Sequence, residues 1–356
     1  MKKKNKTIAI HASYFGDNFG DSLFIIEYVN YLKEIGYLDS QILLPFAGKR
    51  IRSYVTVSEV KGFEALLRCD SMAFVGGGYF GERPTQKFVW HIRLWVRHLL
   101  IGLFCILFNK KYAFFGVGAG PLNNFITRFF VKKIINASSF FAARDDISLR
   151  FLESIGVHKN KLISTSDALI SYPKKKYSTN KSSAKNILIH IPVLKNKKKQ
   201  VNEILTYLKN EIKYDYKIFI SSDFYKPSFK NISEVVANEL FENVEIVPYE
   251  SPEKLIKLLS YCDLIITNKL HVGILSITQG KFVISAYHHL KTPRFYDQIN
   301  HGELCFPFDN FNSENKMIFK KALNSFSTGK IIAFNEDILS KSRKNYDLFK
   351  TFVSKV

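Results

Sequence analysis

The sequence is poor in the residues that mark disulfide-stabilised, zinc-binding and redox-active proteins. It has four cysteines, and none of them forms a C-x-x-C pair, which argues against a zinc knuckle or a thiol redox motif. Cys69, Cys105 and Cys262 lie in or beside apolar runs, where a free thiol behaves as a small hydrophobe. We therefore expect the protein to work in a reducing compartment, the cytoplasm.

Long apolar runs are lacking as well. The strongest candidate, Leu99 to Phe108, has ten residues, about half of the ~20 that a membrane-spanning helix needs. The segment from Met1 to Phe15 is basic at its start but has no apolar stretch long enough for a signal peptide. Neither a transmembrane helix nor a secretion signal is expected.

Acidic residues are scarce relative to basic ones. The chain has 31 Asp and Glu against 52 Lys and Arg, a formal net charge of +21. Such a field attracts phosphates, anionic lipids, acidic glycans or nucleic acids, although a compositional bias towards Lys, Asn, Ile and Phe explains it equally well. The basic residues are scattered and no nucleic-acid motif occurs, so nucleic acid is not an expected partner.

The chain is long enough for two domains, and its pattern is that of an α/β protein. Its 356 residues are 46% hydrophobic, and short apolar strands alternate with amphipathic helices, which indicates parallel sheets. We expect Rossmann-like, doubly wound domains at 1–171 and 187–330, joined by a polar linker at 172–186 and facing each other across a cleft. A final helix at 331–356 is expected to pack back on the N-terminal domain.

Glycine-rich and charged clusters follow the expected strands, where ligands bind in such sheets. In the first half these clusters are Asn18-Phe19-Gly20-Asp21, Gly76-Gly77-Gly78, Gly116-Val117-Gly118-Ala119-Gly120-Pro121, Arg144-Asp145 and Asp167. Their glycines permit close backbone approach to a ligand. The spacing at 116–121 fails the G-x-G-x-x-G pattern, so a dinucleotide site is not indicated.

For two of these residues, Asp21 and Arg144, a purely structural role is an alternative to ligand binding. Asp21 stands where a helix is expected to begin at Ser22, so it either caps that helix or faces a ligand. Arg144 either grips a carboxylate or phosphate with two parallel hydrogen bonds, or forms a structural pair with Asp145.

The second half carries the richest cluster, Thr267-Asn268-Lys269-Leu270-His271-Val272-Gly273, after an apolar strand. A cation and an imidazole beside a helix N-terminus favour a phosphate site. Downstream, Tyr287-His288-His289-Leu290-Lys291 follows another strand, and Lys291 is expected to point into the same cleft. Without an H-x-x-x-H pattern or a nearby carboxylate cluster, the paired histidines do not indicate a metal.

The apolar, basic segment from Phe88 to Lys111 has two interpretations. It either lies on an anionic membrane surface or forms a partly buried helix, and we favour burial.

These clusters, in this order, resemble the polysaccharide pyruvyl transferase family. The matching pieces are Asn18-Phe19-Gly20-Asp21, Gly76-Gly77-Gly78, the run from Gly116 to Pro121, Arg144-Asp145 with Ser148, Leu152 and Gly156, Asp167, and Lys269-Leu270-His271 followed by Gly280, Tyr287 and Lys291. This chain departs from the family pattern at two positions. Where the family usually has Arg, it has Lys269, and a lysine keeps the positive charge but lacks the bidentate fork of a guanidinium. Where the family usually has Pro, it has Ala168.

The resemblance implies a fold similar to the glycosyltransferase-B architecture and a pyruvate transfer from phosphoenolpyruvate to a sugar. The product is a pyruvate ketal on a capsule, an exopolysaccharide or its precursor, and phosphate is released. It implies Asp21 as base and His271 as acid or phosphate ligand, with substrate contacts from Asn18, Gly20, Gly77, Gly78, Gly118, Arg144, Asp167, Lys269 and Lys291. Neither a metal nor a cofactor is implied, and the expected partners are phosphoenolpyruvate and a sugar or lipid-linked acceptor. Peripheral contact with the inner membrane surface is the alternative that the segment from Phe88 to Lys111 leaves open.

Two other functions remain open. A nucleotide-sugar-dependent glycosyltransferase of the same fold would need a ribose-binding carboxylate late in the second domain, for which Glu250 and Glu253 are the candidates. A non-catalytic binder of anionic glycans would use the net positive charge alone.

Overall fold

A computed structural model describes residues 6–14, 18–82, 87–174, 184–224 and 231–355. The chain divides into two compact units. Unit 1 comprises Met1–Asp17, Asp21–Ala168 and Asp337–Val356, and unit 2 comprises Asn18–Gly20 and Leu169–Glu336. Each unit is built around its own parallel sheet, as the alternation of strands and helices predicts.

Unit 1 contains a seven-stranded sheet in the order β2-β1-β3-β5-β6-β7, with β4 paired to β5. The strands are β1 (Ile8–His11), β2 (Ile42–Leu43), β3 (Ser71–Val75), β4 (Gly78–Phe80), β5 (Lys111–Ala119), β6 (Phe141–Ala143) and β7 (Leu162–Ser164). The helices are α1 (Phe19–Glu34), α2 (Lys49–Ser53), α3 (Gly62–Arg68), α4 (Lys87–Leu94), α5 (Leu100–Leu107), α6 (Phe125–Ala137) and α7 (Asp146–Ser154).

Unit 2 contains a six-stranded sheet in the order β10-β9-β8-β11-β12-β13. The strands are β8 (Lys185–His190), β9 (Tyr216–Ile220), β10 (Val244–Ile246), β11 (Leu264–Thr267), β12 (Phe282–Tyr287) and β13 (Cys305–Pro307). The helices are α8 (Lys198–Glu211), α9 (Ile232–Leu240), α10 (Pro252–Tyr261), α11 (Leu270–Thr278), α12 (Lys291–Gln298) and α13 (Ser313–Ser327).

The last helix, α14 (Glu336–Ser354), packs in unit 1. Phe349 is fully buried, and its ring lies 4.8 Å from that of Tyr28 and 5.1 Å from that of Phe115. Asn345 Nδ2 donates to the carbonyl oxygen of Ser166 at 2.9 Å, and Ser342 Oγ donates to that of Asp167 at 2.8 Å. The helix thus fixes the segment that follows β7.

Most expected elements coincide with the structure, but the first helix begins earlier. It starts at Phe19 rather than at Ser22, so Asp21 lies in the first helical turn. Asp21 is therefore not the cap of this helix. In unit 2, Ser251 caps α10: its side chain accepts a hydrogen bond from Lys254 N, and Pro252 is the first helical residue.

The segment from 88 to 111 forms a longer helix than its apolar core predicts. A π-helical turn, Trp95–Leu99, joins α4 to α5. The run Val89–Leu107 is therefore long and apolar enough, by length and composition, to cross a membrane, and it is the one such helix in the described part of the chain. One face nevertheless belongs to the hydrophobic core of unit 1 through Leu94, Leu99, Ile101 and Cys105.

A pair of buried histidines lies in the same core. His11 Nε2 and His98 Nδ1 are 3.0 Å apart, and the ring of His98 stacks on Tyr79 at 4.2 Å. Burial lowers the pKa of His11 to about 3, and burial likewise lowers the pKa of His98. Both imidazoles are therefore neutral in the folded protein at pH 7.

This pair predicts an acid-sensitive fold. Between pH 6.5 and the lowered values, the unfolded chain binds more protons than the folded one, so stability is lost as the pH falls below 6.5. The slope is about 1.4 kcal/mol per pH unit for each histidine. Urea unfolding at several pH values should show a shallower slope for His11→Phe/His98→Phe, and an unchanged slope for the exposed control His158→Gln. An equal slope in the double variant would show that other groups govern acid unfolding.

Candidate functional site

The site candidates of unit 1 surround Arg144, which follows β6 directly. Its side chain is almost fully buried. A Cβ atom at Gly118 would lie 2.8 Å from Arg144 Nη2, so glycine is required there for the guanidinium to fit. Gly78 pairs with Gly118 across β4 and β5, and Gly77 O accepts a hydrogen bond from Gly118 N at 2.9 Å. The glycines of two sequence clusters thus form the wall along which Arg144 lies.

The carboxylate nearest to Arg144 is that of Asp167. Arg144 Nη1 lies 3.7 Å from Asp167 Oδ2, and this nitrogen has no hydrogen-bond partner among the described residues. A buried cation normally has its donors satisfied. A guanidinium held beside one carboxylate, with a donor still to be satisfied, is suited to binding an anionic ligand.

The neighbouring residues of the same motif have structural roles. Asp145 caps α7, because its Oδ1 accepts a hydrogen bond from Ser148 N at 2.7 Å. Ser148 Oγ in turn bonds the backbone of Ala119 at the end of β5. The alternative of a structural Arg144–Asp145 pair is therefore wrong, since the ion pair of Arg144 is with Asp167.

Asp21 lies in α1, the helix that packs on the Gly76-Gly77-Gly78 turn. A Cβ atom at Gly76 would lie 2.4 Å from the ring of Phe24, one turn after Asp21, so α1 packs directly on the first glycine of the Gly76-Gly77-Gly78 turn. Asp21 also acts electrostatically on its surroundings. It contributes, after burial, to raising the pKa of Tyr79. Its residue is partly exposed and lies in the first turn of α1.

The site candidates of unit 2 centre on Lys269, at the N-cap position of α11. Lys269 Nζ lies 3.1 Å from Asp223 Oδ1 and 5.6 Å from the ring centroid of Phe224. Asp223 is buried, whereas the lysine side chain is one-third exposed. The carboxylate therefore fixes the cation at the start of a helix, where backbone N–H groups also favour an anion.

His271 is held by the segment Asn18–Gly20. A Cβ atom at Gly20 would lie 1.9 Å from His271 Nδ1, so the backbone of Gly20 packs directly on the imidazole. Phe19 N donates to Asp223 O at 2.7 Å, and Asn18 forms an antiparallel bridge with Phe224. Asn18, Gly20, Lys269 and His271, which lie far apart in sequence, are thus brought together in unit 2.

Sequence reasoning missed two polar residues of this cluster, His190 and Asp223, and included Asn268 in the motif without giving it a role. His190 ends β8, and its Nδ1 lies 3.3 Å from Thr267 Oγ1. Burial lowers its pKa; Asp223 opposes this effect and Lys269 adds to it. His190 Nε2 and Asn268 Oδ1 are buried without a hydrogen-bond partner among the described residues, which suits a polar ligand. Asp223 could have been noticed, because it follows an apolar strand as Lys269 does.

Lys291 is the first residue of α12 and its side chain is exposed. Nearby, His288 Nδ1 lies 3.3 Å from Asp309 Oδ2, which gives one of the paired histidines a structural partner. Within the described ranges, no three His, Cys, Asp or Glu residues are grouped so that they could hold a metal ion.

Solved structures place this fold in the glycosyltransferase-B class. The chain is similar to UDP-GlcNAc 2-epimerase from Neisseria meningitidis bound to UDP-GlcNAc, with a TM-score of 0.63, 12% identity, and coverage of 97% of this chain and 100% of that one. It is also similar to the Methanocaldococcus jannaschii UDP-GlcNAc 2-epimerase in complex with UDP-GlcNAc and UDP (TM-score 0.58, 13% identity, coverage 97% and 99%). Acinetobacter baumannii MurG gives a TM-score of 0.53 at 14% identity, with coverage of 97% and 99%.

The family follows from the sequence match. The model of the polysaccharide pyruvyl transferase family matches residues 18–289, which contain both clusters described above, and the chain belongs to this family. It is thus an enzyme of the kind that transfers pyruvate to polysaccharide. No protein of curated function matches the chain.

The contact between Gly20 and His271 predicts that position 20 does not tolerate a larger side chain. Gly20→Ala should destabilise unit 2 by about 1–3 kcal/mol, because the added methyl group must displace the imidazole or the start of α1. Gly48→Ala is the matched control, since a Cβ atom there meets nothing within 4 Å. Thermal unfolding of the two variants checks this; equal melting temperatures would mean that Gly20 is not confined by His271.

Proposed function

We propose that the enzyme transfers pyruvate from phosphoenolpyruvate to two hydroxyl groups of one sugar, forms a pyruvate ketal and releases phosphate. The observation that supports this proposal is that each unit holds a cation at a strand end beside a buried carboxylate: Arg144 with Asp167 in unit 1, and Lys269 with Asp223 in unit 2. Phosphoenolpyruvate has two strongly anionic groups, a carboxylate and a phosphate. Cations held in place before binding stabilise such charge without reorganisation during the reaction.

The reaction balances without a redox partner. A proton adds to the methylene carbon of phosphoenolpyruvate, which becomes a methyl group, and C2 gains oxocarbenium character. One sugar oxygen bonds to C2, the bond from C2 to the phosphate oxygen breaks, and a second sugar oxygen closes the ketal. Of the two hydroxyl protons, one balances the proton taken up by the methyl group and the other leaves with phosphate. No cofactor is needed.

Within this scheme, His271 and Lys269 bind the phosphate at the start of α11, and His271 is the proton donor. Arg144 binds the donor carboxylate, and Lys291, the first residue of α12, adds a further positive charge. Asp21 takes the proton of the attacking hydroxyl, and Asp167 is the next candidate for that role. Gly20, Gly77, Gly78 and Gly118 allow the backbone to approach the substrates, and Asn18 holds its strand bridge beside Lys269.

The acceptor we propose is a sugar of a cell-surface polysaccharide or of its lipid-linked precursor, modified in the cytoplasm. The family match supports the polysaccharide, and the excess of basic residues favours anionic substrates generally.

A nucleotide-sugar donor is the second candidate, because proteins of similar fold were solved with UDP or UDP-GlcNAc. The two candidate ribose-binding carboxylates, Glu250 and Glu253, do not favour a nucleotide-sugar donor. Glu250 is paired with Lys254 on the surface, and Glu253 is exposed in the first turn of α10.

Ligand binding separates these donors. Phosphoenolpyruvate should raise the melting temperature, since a ligand specific for the native state stabilises it by about 2.7 kcal/mol at a hundredfold excess over Kd. The shift should shrink at high salt because charge pairing dominates. Stabilisation by UDP-GlcNAc, with no response to phosphoenolpyruvate, would instead support the nucleotide-sugar reading.

Turnover is then followed as phosphate release with candidate glycans. In D₂O, the ketal methyl group should carry one deuterium, which shows that the methylene carbon was protonated; a product without deuterium would rule this step out.

Substitutions test the assigned roles. Asp21→Asn and His271→Ala should each lower turnover by about 10²–10⁴-fold, the usual contribution of a general acid or base. Lys269→Arg restores a bidentate cation and should keep or improve donor affinity. Phosphate release is measured on variants whose melting temperatures match that of the parent protein.

Combining the two substitutions tests whether Asp21 and His271 act in the same transfer step. If Asp21 and His271 act on the same transfer, Asp21→Asn/His271→Ala should lose less than the product of the two single losses. Near-parental turnover for Asp21→Asn would move the base to Asp167, for which Asp167→Asn is the corresponding test.

A further inference from the structure

The helical run from α4 to α5 has an apolar face that no other part of the described chain covers. Val89, Ile92, Val96, Leu100 and Leu107 are exposed, and Leu107 is 79% accessible. Their spacing of three, four and seven places them along one side of the helix. The opposite side lies in the core of unit 1.

Helix α6 extends this apolar face. Phe125, Ile126 and Phe129 are exposed in its first half, with Phe125 76% accessible. The ring of Trp95 lies 5.0 Å from that of Phe130, which lies 5.4 Å from that of Phe129. The two exposed sets are therefore joined by a row of aromatic rings. We call this surface the α4–α6 face.

The charge around this face is positive throughout. From Lys87 to Arg144 the sequence contains no Asp or Glu but nine Lys or Arg. Arg93 is exposed within the apolar row of α4, and Lys133 follows Phe129 by one turn of α6. Glu82, which precedes this segment, has a buried side chain that accepts a hydrogen bond from Asn123 N at 2.7 Å, so its charge is paired within the fold.

We propose that the α4–α6 face binds the surface of an anionic lipid bilayer, with α4 and α5 lying in the plane of the interface. Apolar side chains beside exposed arginine and lysine are the chemistry that inserts into such a surface. The proposal concerns where unit 1 binds and does not depend on the donor or on the reaction.

The same observations argue against a spanning helix. To cross the bilayer, the run would have to withdraw Leu94, Leu99, Ile101 and Cys105 from the core and break the His98–His11 contact. It would also place Arg93 and Arg97 among lipid chains at substantial cost. An interfacial position keeps the buried side in the protein and lets the exposed Arg93 extend to the headgroups.

Vesicle binding of the full chain tests the proposal. The protein should co-sediment with vesicles of equimolar phosphatidylcholine and phosphatidylglycerol and bind those of phosphatidylcholine alone much more weakly. Val96→Glu/Leu100→Glu should lower the partition coefficient at least about tenfold, since buried apolar area is replaced by charge. Arg93→Gln/Lys133→Gln should lower binding to the anionic vesicles by about fivefold for each residue.

Matched controls lie in unit 2. Met317→Glu/Ile331→Glu makes the same chemical change at exposed apolar positions, and Lys257→Gln/Lys321→Gln removes the same charge from exposed sites. Both should retain most of the binding. Their melting shifts with phosphoenolpyruvate, and that of Val96→Glu/Leu100→Glu, should equal the parental shift, so that a failure here is distinguishable from a failure of the proposed reaction.

Two outcomes would overturn the proposal. One is equal loss of vesicle binding in the unit 2 controls, which would indicate unspecific charge attraction. The other is absence of vesicle binding together with a dimer, seen by light scattering, that Val96→Glu/Leu100→Glu dissociates; the face would then join two copies of this chain.

Discussion

Parallel strand pairing is the constraint on which the arrangement of polar residues depends. Every strand pair in both sheets is parallel, so within each sheet all carboxyl ends lie at one edge. Residues that follow different strands therefore meet in space although the chain separates them. His190 ends β8, while Asp223 and Lys269 follow β9 and β11, and these three strands are adjacent in the sheet of unit 2. Arg144 and the Gly118 wall are adjacent in unit 1 for the same reason.

The two cations at these edges differ in how strongly they are confined. Arg144 is enclosed by glycine backbone and buried, so its position depends on the absence of side chains around it. Lys269 is partly exposed and depends on a single carboxylate. A rigid, enclosed guanidinium suits recognition of a planar carboxylate, whereas a more mobile ammonium suits a phosphate that must leave. This contrast is consistent with different roles for the two positions in the proposed reaction.

Much of the fold could be predicted from the sequence, because apolar strands with glycine or charge at their ends are conspicuous. Gly76 directly follows β3 and Asn268 directly follows β11, as the clusters at expected strand ends predict. The start of α1 was misplaced, since Phe19 and Gly20 are not helix-forming signals and their place is determined by tertiary contacts with Asp223 and His271. His190 and Asp223 were missed because neither stands in a motif. Only the strand order, which sequence periodicity does not specify, places them beside Lys269.

The contact of Gly20 with His271 has an evolutionary consequence. The backbone at position 20 and the ring at position 271 occupy adjoining space, so neither position can change size independently. A lineage that replaced the histidine with a smaller residue would lose the reason to keep glycine, and alanine or serine would become acceptable at position 20. We therefore expect positions 20 and 271 to change together. A residue other than glycine at position 20 would indicate that the residue at position 271, and with it the chemistry of the site, has changed.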